Sequence, residues 1–245
     1  MTLIYAHRGA SAMYPEHTLP AYEEALRRGA DGVECDVRLT ADGVAVLWHD
    51  DTVDRCSNGT GKVSSMTYAQ LCELDIYHWR TDVPAVSDEQ TRIMTLEQLL
   101  DLTTSHHTLV RLALETKHPV RTAGAVEHEL ARLLRRFNIH EDRDRVMTMS
   151  FSWQAVRRSA RLLPTLQHVA LYEEQYRRLR EATIPRGAAV VGPDVQFVLD
   201  DPTLVERSHR RGREVYVWTV DDPEIATRCR ELGVDMLATN RPGEL

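Results

Sequence analysis

Three short polar clusters could do chemistry together: His7-Arg8, Glu34-Cys35-Asp36 and Glu115-Thr116-Lys117, each at the C-terminal end of an apolar run. Residues two apart on an extended strand share a face, so Glu34 lies beside Asp36 and Glu115 beside Lys117. Glu34, Asp36 and Glu115 offer hard oxygen ligands, suited to Mg2+ or Ca2+ and lacking the soft donors that favour zinc. Without a cation they would repel one another. Arg8, through its planar fork, and Lys117, as a point charge, are the natural partners of an anion. Lys117 is one of only two lysines in the chain.

His7 and His49 are the candidates for general acid and base, because imidazole exchanges a proton near neutral pH. Taken singly, such carboxylate pairs are usually solvated strand edges and such histidines usually structural. Their recurrence where successive strands end carries the argument. His106, His107, His118, His128, His140, His168 and His209 lack such company and read as surface residues. Glu16 and His17 follow Pro15 on the loop after the first strand, where they either hydrogen-bond the site or cap the next helix. Trp218 ends a late strand and either walls the pocket or fills the core.

The elements that must position these groups are legible as apolar periodicity. Nine runs read as strands: TLIYA, GVECDV, VAVLW, LVRLALE, RVMTMSF, QHVALY, AAVVG, EVYVW and DMLAT. Helical patterns separate most of them, the signature of βα units around a parallel sheet. Thr95 with Gln98 reads as a capping box. Asp201-Pro202 and Asp222-Pro223 each place an acid before a proline at a helix start. Residues 121 to 137 read as one long amphipathic helix. Between GVECDV and VAVLW stands only RLTADG, whose Asp42-Gly43 pair signals a hairpin. With those two as the loop, Ala41 pairs with Val44, and counting outward sets Asp36 opposite His49, with Cβ atoms about 5 Å apart. A parallel barrel has no place for an antiparallel stave, so eight strands remain. The expectation is an α/β fold, a (β/α)8 TIM barrel with residues 37–93 inserted as a small domain after the second strand. The carboxyl ends of all the strands then meet on one face.

Composition narrows the function. A formal net charge of -7 argues against a nucleic-acid groove, which needs a basic surface. Four cysteines without CxxC spacing read as reduced thiols, with Cys35 pointing away from its acidic neighbours. The start MTLIYAHRG has no signal-peptide pattern and no run reaches transmembrane length, so the expectation is a cytoplasmic protein without stable membrane association. Neither a P-loop, nor a G-x-S-x-G elbow, nor H-E-x-x-H is present. None of these features specifies an oligomeric state.

The blocks HRGxS…PExT, ADGVECDVRLTADGVAVLWHD, DRCSNGTGKV, LETK, SFSW, VWTVDD and GVDMLATNRP, in this order, resemble the glycerophosphodiester phosphodiesterases, in their cytoplasmic bacterial form. The resemblance implies a barrel with an insertion after its second strand. It implies hydrolysis of a glycerophosphodiester, such as glycerophosphocholine or glycerophosphoethanolamine, to sn-glycerol 3-phosphate and an alcohol. By motif match it assigns Mg2+ or Ca2+ to Glu34, Asp36 and Glu115, phosphate to Arg8 and Lys117, acid–base work to His7 and His49, and the glycerol pocket to Trp218. His17 and Asn240 depart from it, standing where the family commonly has Asn and Asp.

The expected chemistry is metal-assisted cleavage, with His7 as base and His49 as acid. Two other readings keep the site. A lysophospholipase D or phospholipase-type activity would call for an apolar rim or a basic amphipathic stretch, and the sequence offers neither. A non-catalytic barrel that binds phosphate esters would not require two histidines beside three carboxylates.

Overall fold

The computed structural model describes residues 1–118, 124–172 and 184–245. Its strands are β1 (Leu3–His7), β2 (Gly32–Leu39), β3 (Ala45–Leu47), β4 (Arg111–Thr116), β5 (Val146–Ser150), β6 (Gln167–Tyr172), β7 (Val190–Pro193), β8 (Glu214–Val217) and β9 (Met236–Thr239). They follow the order β1-β9-β8-β7-β6-β5-β4-β2-β3, and the β1–β2 pairing closes eight parallel strands into a TIM barrel. Every strand expected from the sequence is present.

The described helices are α1 (Leu19–Arg27), α2 (Tyr68–Cys72), α3 (Leu96–Thr104), α4 (Ala125–Arg136), α5 (Trp153–Leu162), α6 (Val195–Asp200), α7 (Thr203–His209) and α8 (Pro223–Glu231). Thr95 and Gln98 form the expected capping box on α3, and Asp222 caps α8 with Pro223 in its first turn. At α7 the cap position falls on Pro202, with Asp201 one residue outside, where it accepts from the Thr203 N–H. Residues 119–123 lie outside the described set, so the expected 121–137 helix is seen from Ala125 onward.

Strand alternation sorts side chains between two environments. Tyr5, Met147, Met149, Val169, Leu171, Val190 and Tyr216 fill the barrel interior. Val33, Cys35 and Val37 face outward onto the apolar faces of the surrounding helices. Cys35 thus points away from Glu34 and Asp36, as expected, and all four cysteines are free.

The hairpin departs from expectation by one residue. Observed pairs are Val37↔Leu47, Arg38↔Val46 and Leu39↔Ala45, which sets Trp48 opposite Asp36 in place of His49. The Trp48 N–H donates to the Asp36 carbonyl at 2.9 Å. A two-residue type I′ loop needs positive φ at both centres, whereas here only Gly43 has it, at +83°. The loop instead holds Ala41, Asp42 and Gly43, closed by Thr40 N–H donating to Val44 O at 3.0 Å. A one-residue slip exchanges the faces of a strand. Trp48 accordingly joins Val46, Val53, Cys56, Val63, Leu71, Ile76 and Ile93 in an apolar cluster separate from the barrel's.

Segment 40–94 is latched to the loop after β1 by arginines. Arg80 donates to the Ser11 and Ala12 carbonyls at 2.9 and 3.1 Å. Arg55 donates to both oxygens of Glu16, at 3.0 and 2.8 Å.

Two glycines should respond differently to alanine. A Cβ on Gly43 meets nothing within 4 Å, so Gly43→Ala should cost only its left-handed backbone, about 1–2 kcal/mol. Gly9 has the same φ of +83°, but its Cβ would lie 2.7 Å from the Ala21 backbone at the start of α1. Gly9→Ala should cost a further ~1–3 kcal/mol by overpacking, measured by urea denaturation.

Candidate active site

Parallel register assembles the site. His7 pairs with Glu34 across β1 and β2, and Asp36 pairs with Glu115 across β2 and β4. The four side chains therefore converge at the carboxyl end of the barrel, in a cavity of about 470 Å3. Of the expected residues, His7, Arg8, Glu34, His49, Glu115, Lys117 and Trp218 line this cavity. Asp36 lies just beneath them, 1% exposed.

The three carboxylates offer oxygens that all lie within 4.8 Å of one another. Lys117 Nζ bridges Asp36 Oδ1 and Glu115 Oε1 at 2.9 and 2.8 Å. Arg8 adopts a left-handed backbone, φ 58°. That turns its N–H onto Glu34 Oε2 at 3.1 Å, while its Nε lies 3.1 Å from Asp36 Oδ2.

These contacts divide the carboxyls. Burial opposes ionisation of Asp36, but Lys117, Arg8 and His17 overcome it and hold the group well below the usual carboxylate range. Burial, reinforced by the Asp36 charge and only partly offset by Arg8, pushes Glu34 well above that range. Burial also pushes Glu115 up to about 7 despite the Lys117 charge. Two buried carboxyls thus lack full compensation from protein cations. An all-oxygen donor set with that deficit fits a divalent metal ion.

Each histidine has a fixed partner. His7 Nδ1 lies 2.8 Å from Asn240 Oδ1. The Asn240 amide is oriented by Asp221, whose Oδ2 can only accept from Nδ2, at 2.6 Å. Its oxygen therefore faces His7, so Nδ1 carries the proton and Nε2 is left toward Glu34 Oε2, 4.0 Å away. Burial and then the Arg8 charge lower His7 to about 4. His49 lies beyond the end of β3 and enters the cavity because the chain turns there. Its Nδ1 is 2.6 Å from Asp50 Oδ1, and its carbonyl accepts from Arg38 at 2.7 and 3.0 Å. Burial lowers the His49 pKa as well, with Asp36 opposing and Lys117 and Arg8 adding.

His17 is a support of the site. Buried at 1% exposure, it places Nε2 2.8 Å from Asp36 Oδ2 and Nδ1 2.8 Å from the Tyr22 hydroxyl. Trp218 forms an apolar wall, edge-on to Phe151 with ring centroids 5.3 Å apart, and donates through Nε1 to the Gly192 carbonyl at 2.9 Å.

Two histidines assigned to the surface belong elsewhere. His168 is 2% exposed and spans Thr148 Oγ1 and the Leu163 carbonyl, because its strand position faces a packed layer. His118 lines the cavity, held by Glu127 Oε1 at 2.8 Å. Sequence reasoning also missed Arg38, Phe151 and Tyr216 in the cavity wall, and Asp50, Asp221 and Asn240 as partners. Arg38 had a signal in strand alternation, since it continues the Glu34-Asp36 face by two residues, and Asn240 had one in its departure from the family pattern.

The model of the glycerophosphoryl diester phosphodiesterase family matches residues 7–244. A Mycobacterium tuberculosis protein named "Probable glycerophosphodiester phosphodiesterase 1" is 46% identical, covering 98% of this chain and 89% of its own. This chain belongs to the glycerophosphoryl diester phosphodiesterase family. It is therefore an enzyme of phosphodiester hydrolysis. A glycerophosphodiester phosphodiesterase of Caldanaerobacter subterraneus is 32% identical over 100% of this chain and 96% of its own. The barrel is shared with an Oleispira antarctica phosphodiesterase solved in complex with the product sn-glycerol-3-phosphate, at TM-score 0.83 and 22% identity over 100% and 95% of the two chains. Among the described residues, no helix is long and apolar enough to cross a membrane.

Within this phosphodiesterase, His17→Ala should cost about 2–4 kcal/mol, because it opens a cavity and leaves the Tyr22 hydroxyl and Asp36 Oδ2 short of a partner. Urea denaturation of wild type and variant measures this.

Proposed function

We propose that this enzyme hydrolyses glycerophosphodiesters, such as glycerophosphocholine or glycerophosphoethanolamine, to sn-glycerol 3-phosphate and an alcohol. The observation that carries the reading is the convergence of three carboxylates, two phosphate-seeking cations and two oriented histidines on one cavity. The product named for the Oleispira antarctica relative is the one expected here. Glu34, Asp36 and Glu115 would hold Mg2+ or Ca2+, which when bound polarises a phosphoryl oxygen and offsets negative charge.

Arg8 and Lys117 bind the phosphate oxygens, the first as a fork and the second as a point charge. His7 removes a proton through Nε2 from the nucleophile, its Nδ1 being committed to Asn240. His49 protonates the departing alkoxide, its Nδ1 being committed to Asp50. Trp218, backed by Phe151, gives the glycerol an apolar face. Residues 1–245 act as one catalytic domain, within which 37–93 forms a small insertion domain with its own apolar cluster and supplies His49. Free thiols at all four cysteines agree with a cytoplasmic setting.

Glycerol 3-phosphate release from glycerophosphocholine, followed by a coupled assay, should fall at least about a hundredfold on complete metal removal and return with Mg2+ or Ca2+. Undiminished release would contradict the metal assignment. In Asn240→Asp a carboxylate would face His7 Nδ1 and raise its pKa. A base must be unprotonated to act, so the acidic limb of the kcat/KM profile should move to higher pH. An unmoved limb would remove His7 as the base.

A further inference from the structure

Arg55 lines no part of the cavity, yet it joins the two sides of the site. Its Nε and Nη2 donate to Asp50 Oδ2 and Oδ1 at 2.7 and 3.2 Å. Its Nη1 and Nη2 donate to Glu16 Oε2 and Oε1 at 3.0 and 2.8 Å. Each carboxylate then passes the constraint inward. Asp50 Oδ1 meets His49 Nδ1 at 2.6 Å, and Glu16 Oε1 accepts from Arg8 Nη1 at 2.9 Å. The result is a continuous circuit of His49, Asp50, Arg55, Glu16 and Arg8.

We propose that Arg55 is a positioning residue for the hydrolysis: its guanidinium sets the separation of Asp50 and Glu16, and through them the tautomer and aim of His49 relative to Arg8. The inference rests on His49 as donor to the leaving alkoxide. His49 stands past the last strand pair of its hairpin, where Arg38 holds its carbonyl and Asp50 contacts its ring. An ionised Asp50 only accepts, so His49 Nδ1 keeps its proton and Nε2 is the atom that exchanges with the substrate. Burial opposes ionisation of both carboxylates, but the Arg55 hydrogen bonds, together with His49 at Asp50 and with Arg8 and His17 at Glu16, hold both at about 2 and keep them ionised. A lysine could not replace the fork, because one nitrogen cannot reach two oxygens on each of two carboxylates. At 44% exposure Arg55 should add little to stability, since exposed ion pairs contribute little. Its effect should appear in turnover.

The test compares Arg55→Ala, Arg55→Lys and His49→Ala with wild type at saturating Mg2+ or Ca2+. One substrate is glycerophosphocholine, whose alkoxide needs a proton to leave. The other is the 4-nitrophenyl ester of glycerol 3-phosphate, whose phenolate does not. For Arg55→Ala, kcat on glycerophosphocholine should fall about 10- to 100-fold with KM within about threefold, the order that misplacing a catalytic group costs. The nitrophenyl ester should lose less than about threefold, since little general-acid help is needed there. Added guanidinium should restore part of the lost kcat, and Arg55→Lys should stay near Arg55→Ala. Unchanged kcat, equal losses on both substrates, a loss confined to KM, or full recovery with lysine would each overturn the proposal. His49→Ala separates the two levels. Normal turnover of glycerophosphocholine by that variant would fail the acid assignment itself, whereas a His49 effect without an Arg55 effect would overturn the positioning role alone.

Discussion

Three carboxylates with oxygens inside 4.8 Å of one another, buried at the mouth of a barrel, repel strongly unless positive charge is brought among them. Much of the local structure answers that repulsion. Lys117 spans two of the groups, Arg8 takes a left-handed backbone to reach the other side, and His17 gives up its ring to Asp36. The protein cations satisfy Asp36 fully and the two glutamates incompletely. That uneven compensation is what makes the place suited to a divalent ion, whereas full internal neutralisation would have made it an ordinary buried ion-pair cluster.

The barrel was legible because its signals are redundant. Nine apolar runs, helical spacing between most of them and the absence of a helix after GVECDV all pointed to one topology. His7, Glu34, Asp36 and Glu115 followed from strand alternation and from parallel strands ending on one face. The hairpin shows where this reasoning stops. Asp42-Gly43 correctly marked a turn, but loop length depends on whether Asp42 also enters positive φ, and composition alone does not decide that. His49 reached the cavity by a bend in the chain and not by the cross-strand pairing that had suggested it.

Residues further from the chemistry were hidden for a different reason. Arg55, Asp221 and Asn240 act through side-chain contacts between segments remote in sequence, and Asp50 through the ring of its neighbour His49; neither period nor spacing carries information about such contacts. His17 stood out only as a departure from the expected pattern, and its role depends on Tyr22 and Asp36 converging on it. His168 looked no different from surface histidines, because burial of one imidazole leaves no trace in its neighbours' identities.

The contact between His7 and Asn240 closes the first strand of the barrel against the last, across 233 residues of chain. Until β9 docks, His7 sits beside its carboxylates without the partner that fixes its proton. A chain emerging from the ribosome would hold both histidines and all three carboxylates well before it held the group that orients His7. Orientation of the His7 ring is thereby tied to closure of the barrel.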